Sequence, residues 1–417
     1  MANNLRWLYI GRGIRSFSVA FLTVIFPLYL AASGYSAARI GLLLALSGGV
    51  TVLLVLAVGI LGDRFGRRIM IMGLALFGLV GGLAMGLTSQ FWFAVLASGL
   101  GGVGKGGGAG SGGSWGAVFP AEQPLVAASV TSDNRTRAFG TLSFVGVMAG
   151  AAGSLVAIIP RLLESGGFTL IAGYRLLFLC SMGLSVLMFL SAIPLREERG
   201  TPVTAAPSTQ AAPPISFRQL VGRLGLTNAL NGLGFGFLGP LLTYWFYRRF
   251  GVGSAELGVL YTIINLASAF PYLWSANLAA RLGVVRTVTV TRALGLLALL
   301  SMALAPTYWL AGGLYMLRMI FNSLGMPARQ SFTMGVSDDR YRSRLSAYSQ
   351  VPSGITSMVS PAVGGALMDT ILDIPIFGAT LFMSLNLVIY YWFFRNIRPP
   401  EERRQERLVE QARSPSA

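Results

Sequence analysis

Stretches of about 20 predominantly apolar residues, the length a helix needs to cross a hydrocarbon core of roughly 30 Å, recur along almost the whole chain. The composition says what surrounds them. Of the 417 residues, 54% are hydrophobic and 11% charged, against roughly 25% charged in an average soluble domain. A globule of this size could not be dressed in polar surface from such a sequence, so its solvent is lipid. The expected fold class is an all-α polytopic membrane protein.

The apolar runs fall at about 14–33, 39–61, 69–88, 91–130 with an interruption, 138–160 and 174–194, then at 224–247, 256–279, 284–305, 308–334, 345–368 and 375–394. Residues 195–223 between the two sets are rich in Pro, Ala, Ser and Thr and read as a flexible connector. The expected organisation is a six-helix bundle over 1–194, the connector 195–223, a second six-helix bundle over 224–394, and a basic, partly disordered tail over 395–417. The first run has no small-residue cleavage site and is followed by many others, so it reads as a retained helix.

A formal charge of +17 would suggest nucleic acid in a soluble protein. Here the basic residues sit in short loops. Sorted onto alternate sides of the membrane, one side collects most of the arginines, and the other holds only Arg39, Arg161, Arg175, Arg248 and Arg249. The positive-inside rule then places both termini and the connector on the cytoplasmic side of the plasma (inner) membrane and favours an even number of spans. No nucleic-acid partner is expected. The sequence has no His, so neither a His proton relay nor a His-ligated metal is available, and no cofactor is expected. Cys180 is the only cysteine, which excludes an internal disulfide and reads as a buried structural thiol.

The two sets of runs resemble one another. Pro27 matches Pro240, and Ala38-Arg39-Ile40-Gly41 matches Ala255-Glu256-Leu257-Gly258. Pro120-Ala121-Glu122-Gln123 matches Pro327-Ala328-Arg329-Gln330, and each is followed at the same interval by a basic triplet, Arg135-Thr136-Arg137 and Arg342-Ser343-Arg344. Six helices per repeat, both starting inside, implies parallel repeats about an axis along the membrane normal.

Between the second and third runs stands Gly59-Ile60-Leu61-Gly62-Asp63-Arg64-Phe65-Gly66-Arg67-Arg68. Gly59 allows neighbouring helices to approach, Asp63 can bond an Arg or a helix N-terminus, Gly66 permits the turn, and Arg64, Arg67 and Arg68 anchor at headgroups. The stretch resembles the loop signature of the major facilitator superfamily, with every fixed position met. The resemblance covers about 8–394 and implies twelve transmembrane helices in two pseudo-symmetric six-helix bundles, with this loop, together with Arg135 and Arg137, steadying one state of an alternating-access cycle. The corresponding second-half loop has Ala280 in place of the acid.

Ionisable groups at membrane depth cost at least about 2.5–3.5 kcal/mol at a helix centre and point to function. Glu122, Arg329, Arg318 and Lys105 qualify. Counted from a boundary near Thr131, Glu122 lies roughly 13 Å deep, and repeat symmetry puts Arg329 at the same depth. The resemblance implies that the first, fourth, seventh and tenth helices line a central cavity, where Glu122 and Arg329 could pair. Arg15 is either a cavity residue or a snorkelling one, and Asn228 and Asn231 are weaker cavity candidates. Arg318 resembles the superfamily's fourth-helix basic motif moved to the tenth. Lys105 lies in a glycine run that a helix tolerates poorly, so a broken fourth helix is expected. Gly146–Gly153 resembles the antiporter glycine motif, with Ala151 where Pro is expected, and favours antiport slightly.

The functional expectation is a secondary transporter moving a small organic solute, anionic or amphipathic, by alternating access. Protons are the candidate coupling ion, Glu122 their candidate carrier, export the favoured direction, and a monomer the expected state. A lipid flippase or an uptake symporter on the same fold is the alternative. The absent His, the lone Cys and the lack of clustered acids argue against a membrane enzyme.

Overall fold

The computed structural model describes residues 2–102, 116–129, 135–196, 217–335 and 342–395, and all regular structure among them is helical. Helix α1 is Ala2–Ala32, α2 Ala37–Phe65 and α3 Arg67–Leu87. Helix α4 is seen as two pieces, Phe91–Gly101 and Phe119–Ala128. Helix α5 runs through Arg135–Leu155, a 3-10 turn at Val156–Ile158 and Ile159–Ser165, and α6 is Leu170–Ala192. In the second half, α7 is Phe217–Leu238, a 3-10 turn at Gly239–Leu241 and Leu242–Phe250. Helix α8 is Ser254–Ala269 and Pro271–Leu282, α9 Val284–Ala303, α10 Tyr308–Gly335, α11 Arg342–Thr370 and α12 Ile374–Phe394. The result is twelve membrane-crossing rods in two six-helix bundles.

The interruptions in α5, α7 and α8 fall beside Pro160, Pro240 and Pro271, each of which lacks an N–H and crowds the preceding turn. Two helices start earlier than hydropathy suggests. Helix α1 takes in residues 2–13, including Arg6 and Arg12, and α7 takes in 217–223 from the expected connector. The second extension holds because Leu220 and Leu224 are buried against Val284 and Val288.

The repeat is visible in the backbone. Gly66 joins α2 to α3 at φ 104°, ψ 139°, and Gly283 joins α8 to α9 at φ 81°, ψ 152°. Each donates its N–H to the carbonyl four residues back, Gly62 at 3.0 Å and Ala279 at 2.9 Å. An L side chain rarely adopts such a φ, so both turns need glycine. The second half has kept the turn while losing the acid that precedes it.

The end of the bundle where α1 begins and α12 ends is the terminal face. At the opposite face one continuous core joins the halves, with Phe26 and Tyr29 of α1 and Phe178 of α6 packed together with Leu241, Trp245 and Phe246 of α7. Toward the terminal face the core divides. Leu8, Val58, Ile71, Leu125 and Leu142 form one cluster in the first half, and Leu220, Leu224, Val288, Tyr390 and Phe394 another in the second. Among the described residues the halves are therefore sealed at one end and parted at the other.

The outer surface is apolar. Leu53, Ile60, Trp92, Leu304, Trp309 and Val388 are each more than half exposed, a surface that only lipid can cover. Trp92 and Trp309 begin α4 and α10 at the opposite face, and Trp392 lies near the end of α12 at the terminal face, as interfacial aromatics do. Cys180 belongs to this outer surface, being exposed and not buried as expected. In a membrane helix an apolar neighbourhood in sequence means lipid as readily as core.

Candidate functional site

Arg12 and Arg15 stand three residues apart on one face of α1. Glu122 reaches them from the first turn of the second piece of α4, where a helix N-terminus also favours negative charge. Arg12 Nη1 and Arg15 Nη2 each donate to Glu122 Oε2 at 3.0 Å. The three are 2%, 8% and 3% exposed for Arg12, Arg15 and Glu122, so one carboxylate serves two guanidiniums out of water. Arg15 also borders a cavity of about 100 Å³ whose wall includes Ser18, Thr51, Gly102 and Gly116, bringing a basic group to the edges of the glycine-rich stretch.

The second half repeats this construction with different chemistry. The interval from Pro27 to Pro240 equals that from Arg15 to Asn228, so Asn228 on α7 occupies the place of Arg15 on α1. Arg329, the counterpart of Glu122, donates Nη2 to Asn228 Oδ1. The expectation that Glu122 and Arg329 pair across the axis is thereby corrected. Each is engaged at the equivalent place within its own half, where a partner on the adjoining helix is available without spanning the parted interior. Asn231, one turn further along α7, is half-buried.

Two more arginines lie inside the second half. Arg292 is eight residues into α9, about 12 Å from the terminal face, and its Nη1 donates to Asn386 Oδ1 of α12 at 2.7 Å. Asn386 Nδ2 donates to the Thr227 carbonyl, which fixes the amide with its oxygen toward Arg292. Arg318 reaches Met383 Sδ at 3.6 Å and lies over the Tyr315 ring at 5.8 Å. Sequence reasoning missed Arg12 because it precedes its apolar run, where an Arg reads as a loop anchor, and missed Arg292 because it was sorted with the loop arginines although its place inside the run 284–305 was a signal of depth. The i, i+3 spacing of Arg12 with Arg15 was the available signal for the first.

In the loop motif, Gly59 and Asp63 fall in the last two turns of α2, Arg64 is exposed over the Phe65 ring at 5.6 Å, and Arg67 and Arg68 are half-buried at the start of α3. The side chains of Asp63, Arg135 and Arg137, and all of Lys105, lie outside the described residues. The glycine run on which the expected break of the fourth helix falls lies outside the described residues, and Gly102 closes the first piece at φ 68°.

Comparison with known proteins agrees with this architecture. The sequence profile of the Major Facilitator Superfamily matches residues 8–224 and again 224–417, once for each half. Multidrug resistance protein MdtG of Proteus mirabilis (strain HI4320) is 24% identical, over 83% of this chain and 82% of that protein. MdtG of Serratia proteamaculans (strain 568) is 25% identical, over 83% and 81%. Among solved structures, a bacterial homolog of the human lysosomal transporter Spinster in an inward-facing, unoccupied conformation superposes with TM-score 0.70 at 14% identity, covering 94% of this chain and 96% of that one. A bacterial homologue of the iron transporter ferroportin gives TM-score 0.66 at 13% identity, over 94% and 98%. The chain belongs to the Major Facilitator Superfamily and is a transmembrane permease of that fold.

Proposed function

We propose that this permease exports a small organic solute by rocker-switch alternating access, with Arg12, Arg15, Glu122, Asn228 and Arg329 along its path. The observation that carries the reading is the divided core. One shared core at the opposite face and two separate cores toward the terminal face are what a path closed at one end and open at the other requires. The arginine asymmetry of the loops supports a cytoplasmic terminal face, so the state described is open to the cytoplasm. In this reading 1–194 and 224–394 are the moving bodies, 195–223 tethers them, and 395–417 is a cytoplasmic tail. The multidrug resistance named for MdtG supports export over uptake. Glu122, the acid placed deepest, is the candidate proton carrier, and the chain acts as a monomer.

The test is proton-coupled flux in proteoliposomes. With an imposed pH gradient and an entrapped pH indicator, a panel of amphipathic anions and cations is added to vesicles with and without protein. At least one solute should evoke protein-dependent proton movement, and Glu122→Gln should abolish it. Folded, monodisperse protein that moves none of the panel would reject the transport assignment, and flux unchanged in Glu122→Gln would reject Glu122 as proton carrier.

A further inference from the structure

The two halves balance their interior charges differently. In the first half a carboxylate answers the arginines. In the second, α9, α10 and α12 carry no Asp or Glu, and Asp338 and Asp339, which follow α10, lie outside the described residues. Glu256 begins α8 at the opposite face, where Arg161 pairs with it. Asp373 lies at the same face, bonded to Trp245 and Arg249, and Asp369 caps α2 there.

Arg292 and Arg318 therefore meet neutral groups, an amide oxygen and a thioether sulfur. These belong to Asn386 and Met383, one turn apart on one face of α12. The side chain of Arg318 passes α9 at Gly295, one turn from Arg292. The two arginines thus reach the same face of α12 at points one turn apart, and both are half-buried, not sealed. Tyr390, the next residue on that face of α12, is within electrostatic reach of both Arg292 and Arg329, so positive charge continues toward the open terminal face. Beyond Arg318 the interior turns aromatic, with Tyr315 against Tyr261 and Phe246 and Phe237 against Phe382.

We infer that Arg292 and Arg318 form an oxyanion site for the carboxylate, phosphate or sulfonate head of an amphipathic substrate, with its apolar tail toward the aromatic end. Guanidinium forks suit such heads, and an anion supplies the charge that α9, α10 and α12 lack. The inference rests on the permease reading and names its substrate class.

The experiment uses full-length protein in phosphatidylcholine nanodiscs and three probes: dodecyl phosphate, the chain-matched cation dodecyltrimethylammonium, and inorganic phosphate. Dodecyl phosphate should bind and raise the melting midpoint, while the cation should do neither and inorganic phosphate should bind at least tenfold more weakly. Arg292→Gln and Arg318→Gln should each weaken dodecyl phosphate at least tenfold, and Arg318→Lys should recover part of the loss. Melting midpoints without ligand separate a binding defect from a folding defect.

Anionic phosphatidylglycerol in the nanodisc distinguishes the source of the head. Competition that raises the apparent Kd for wild-type protein but not the Gln variants marks a lipid substrate, and no competition marks a free solute. Equal binding of anion and cation, or undiminished binding in both Gln variants, overturns the inference. A protein that moves cationic solutes in vesicles yet shows no anion preference loses this inference and keeps the permease reading.

Discussion

Glu122 holds two guanidiniums through one oxygen in a site that excludes water. Replacing it removes a carboxylate partner from both at once, and breaking a buried pair by deleting one member costs about 3–5 kcal/mol. Glu122→Gln should therefore lower the melting midpoint of the detergent-purified protein well beyond the effect of an exposed substitution. Arg15→Gln placed on top should recover part of the loss, because a charge that Glu122 had balanced goes with it, and a double-mutant cycle reads the coupling directly. A Glu122→Gln protein that melts like wild type would show that the pairing contributes nothing. Glu122 and Arg329 were legible as charges at membrane depth, since each stands inside an apolar run, whereas Arg15, at the start of its run, read equally well as a cavity or a snorkelling residue. The partners of Glu122 and Arg329 were not legible, because symmetry alone allows a contact across the axis as well as one within each half. Only the packing of α1 on α4 and of α7 on α10 decides between them.

At the scale of elements, the seal at the opposite face depends on how closely helices cross. A Cβ on Gly41 of α2 would lie 2.2 Å from the Pro361 carbonyl oxygen of α11, and one on Gly365 of α11 would lie 2.4 Å from the Ala37 oxygen of α2. Backbone on both sides leaves nothing flexible to yield, so Gly365→Ala must push the halves apart, at about 1–3 kcal/mol for overpacking. The lone exposed cysteine makes this measurable. In a Cys180→Ala background, a thiol introduced as Leu241→Cys, fully buried in the shared core, should react with maleimide faster when Gly365→Ala is present. Unchanged reactivity would mean that the crossing is not what holds the seal. The twelve rods themselves were readable from apolar length, since lipid leaves helices few alternatives. The early starts of α1 and α7 were not, because a hydropathy scan stops at Arg whether that Arg faces headgroups or a buried acid.

Across the whole molecule the halves are also fastened at the opposite face by polar contacts. Asp369 at the end of α11 accepts from the backbone N–H of Ala37 at 3.1 Å and of Ala38 at 2.9 Å, capping α2 of the other half. Arg161 of α5 pairs with Glu256 of α8. An N-terminal cap contributes about 0.5–2 kcal/mol, and an ion pair as exposed as Arg161 with Glu256, at 60% and 33%, contributes about 0–1 kcal/mol. Both contacts join the halves only while that face is closed, so their energy bears on the balance between states more than on folding. Asp369→Ala with Glu256→Gln should therefore move the equilibrium toward opening at that face by about 2 kcal/mol, a shift of roughly 30-fold. The readout is the rate at which a membrane-impermeant maleimide, applied from the opposite face, modifies Leu241→Cys in the Cys180→Ala background. The double substitution should raise that rate while leaving the melting midpoint close to wild type, with Asp369→Ala alone giving the larger part. A rate that stays at the wild-type value would mean that these contacts only decorate a seal made by the aromatic core, and that α1, α6 and α7 hold the path closed unaided.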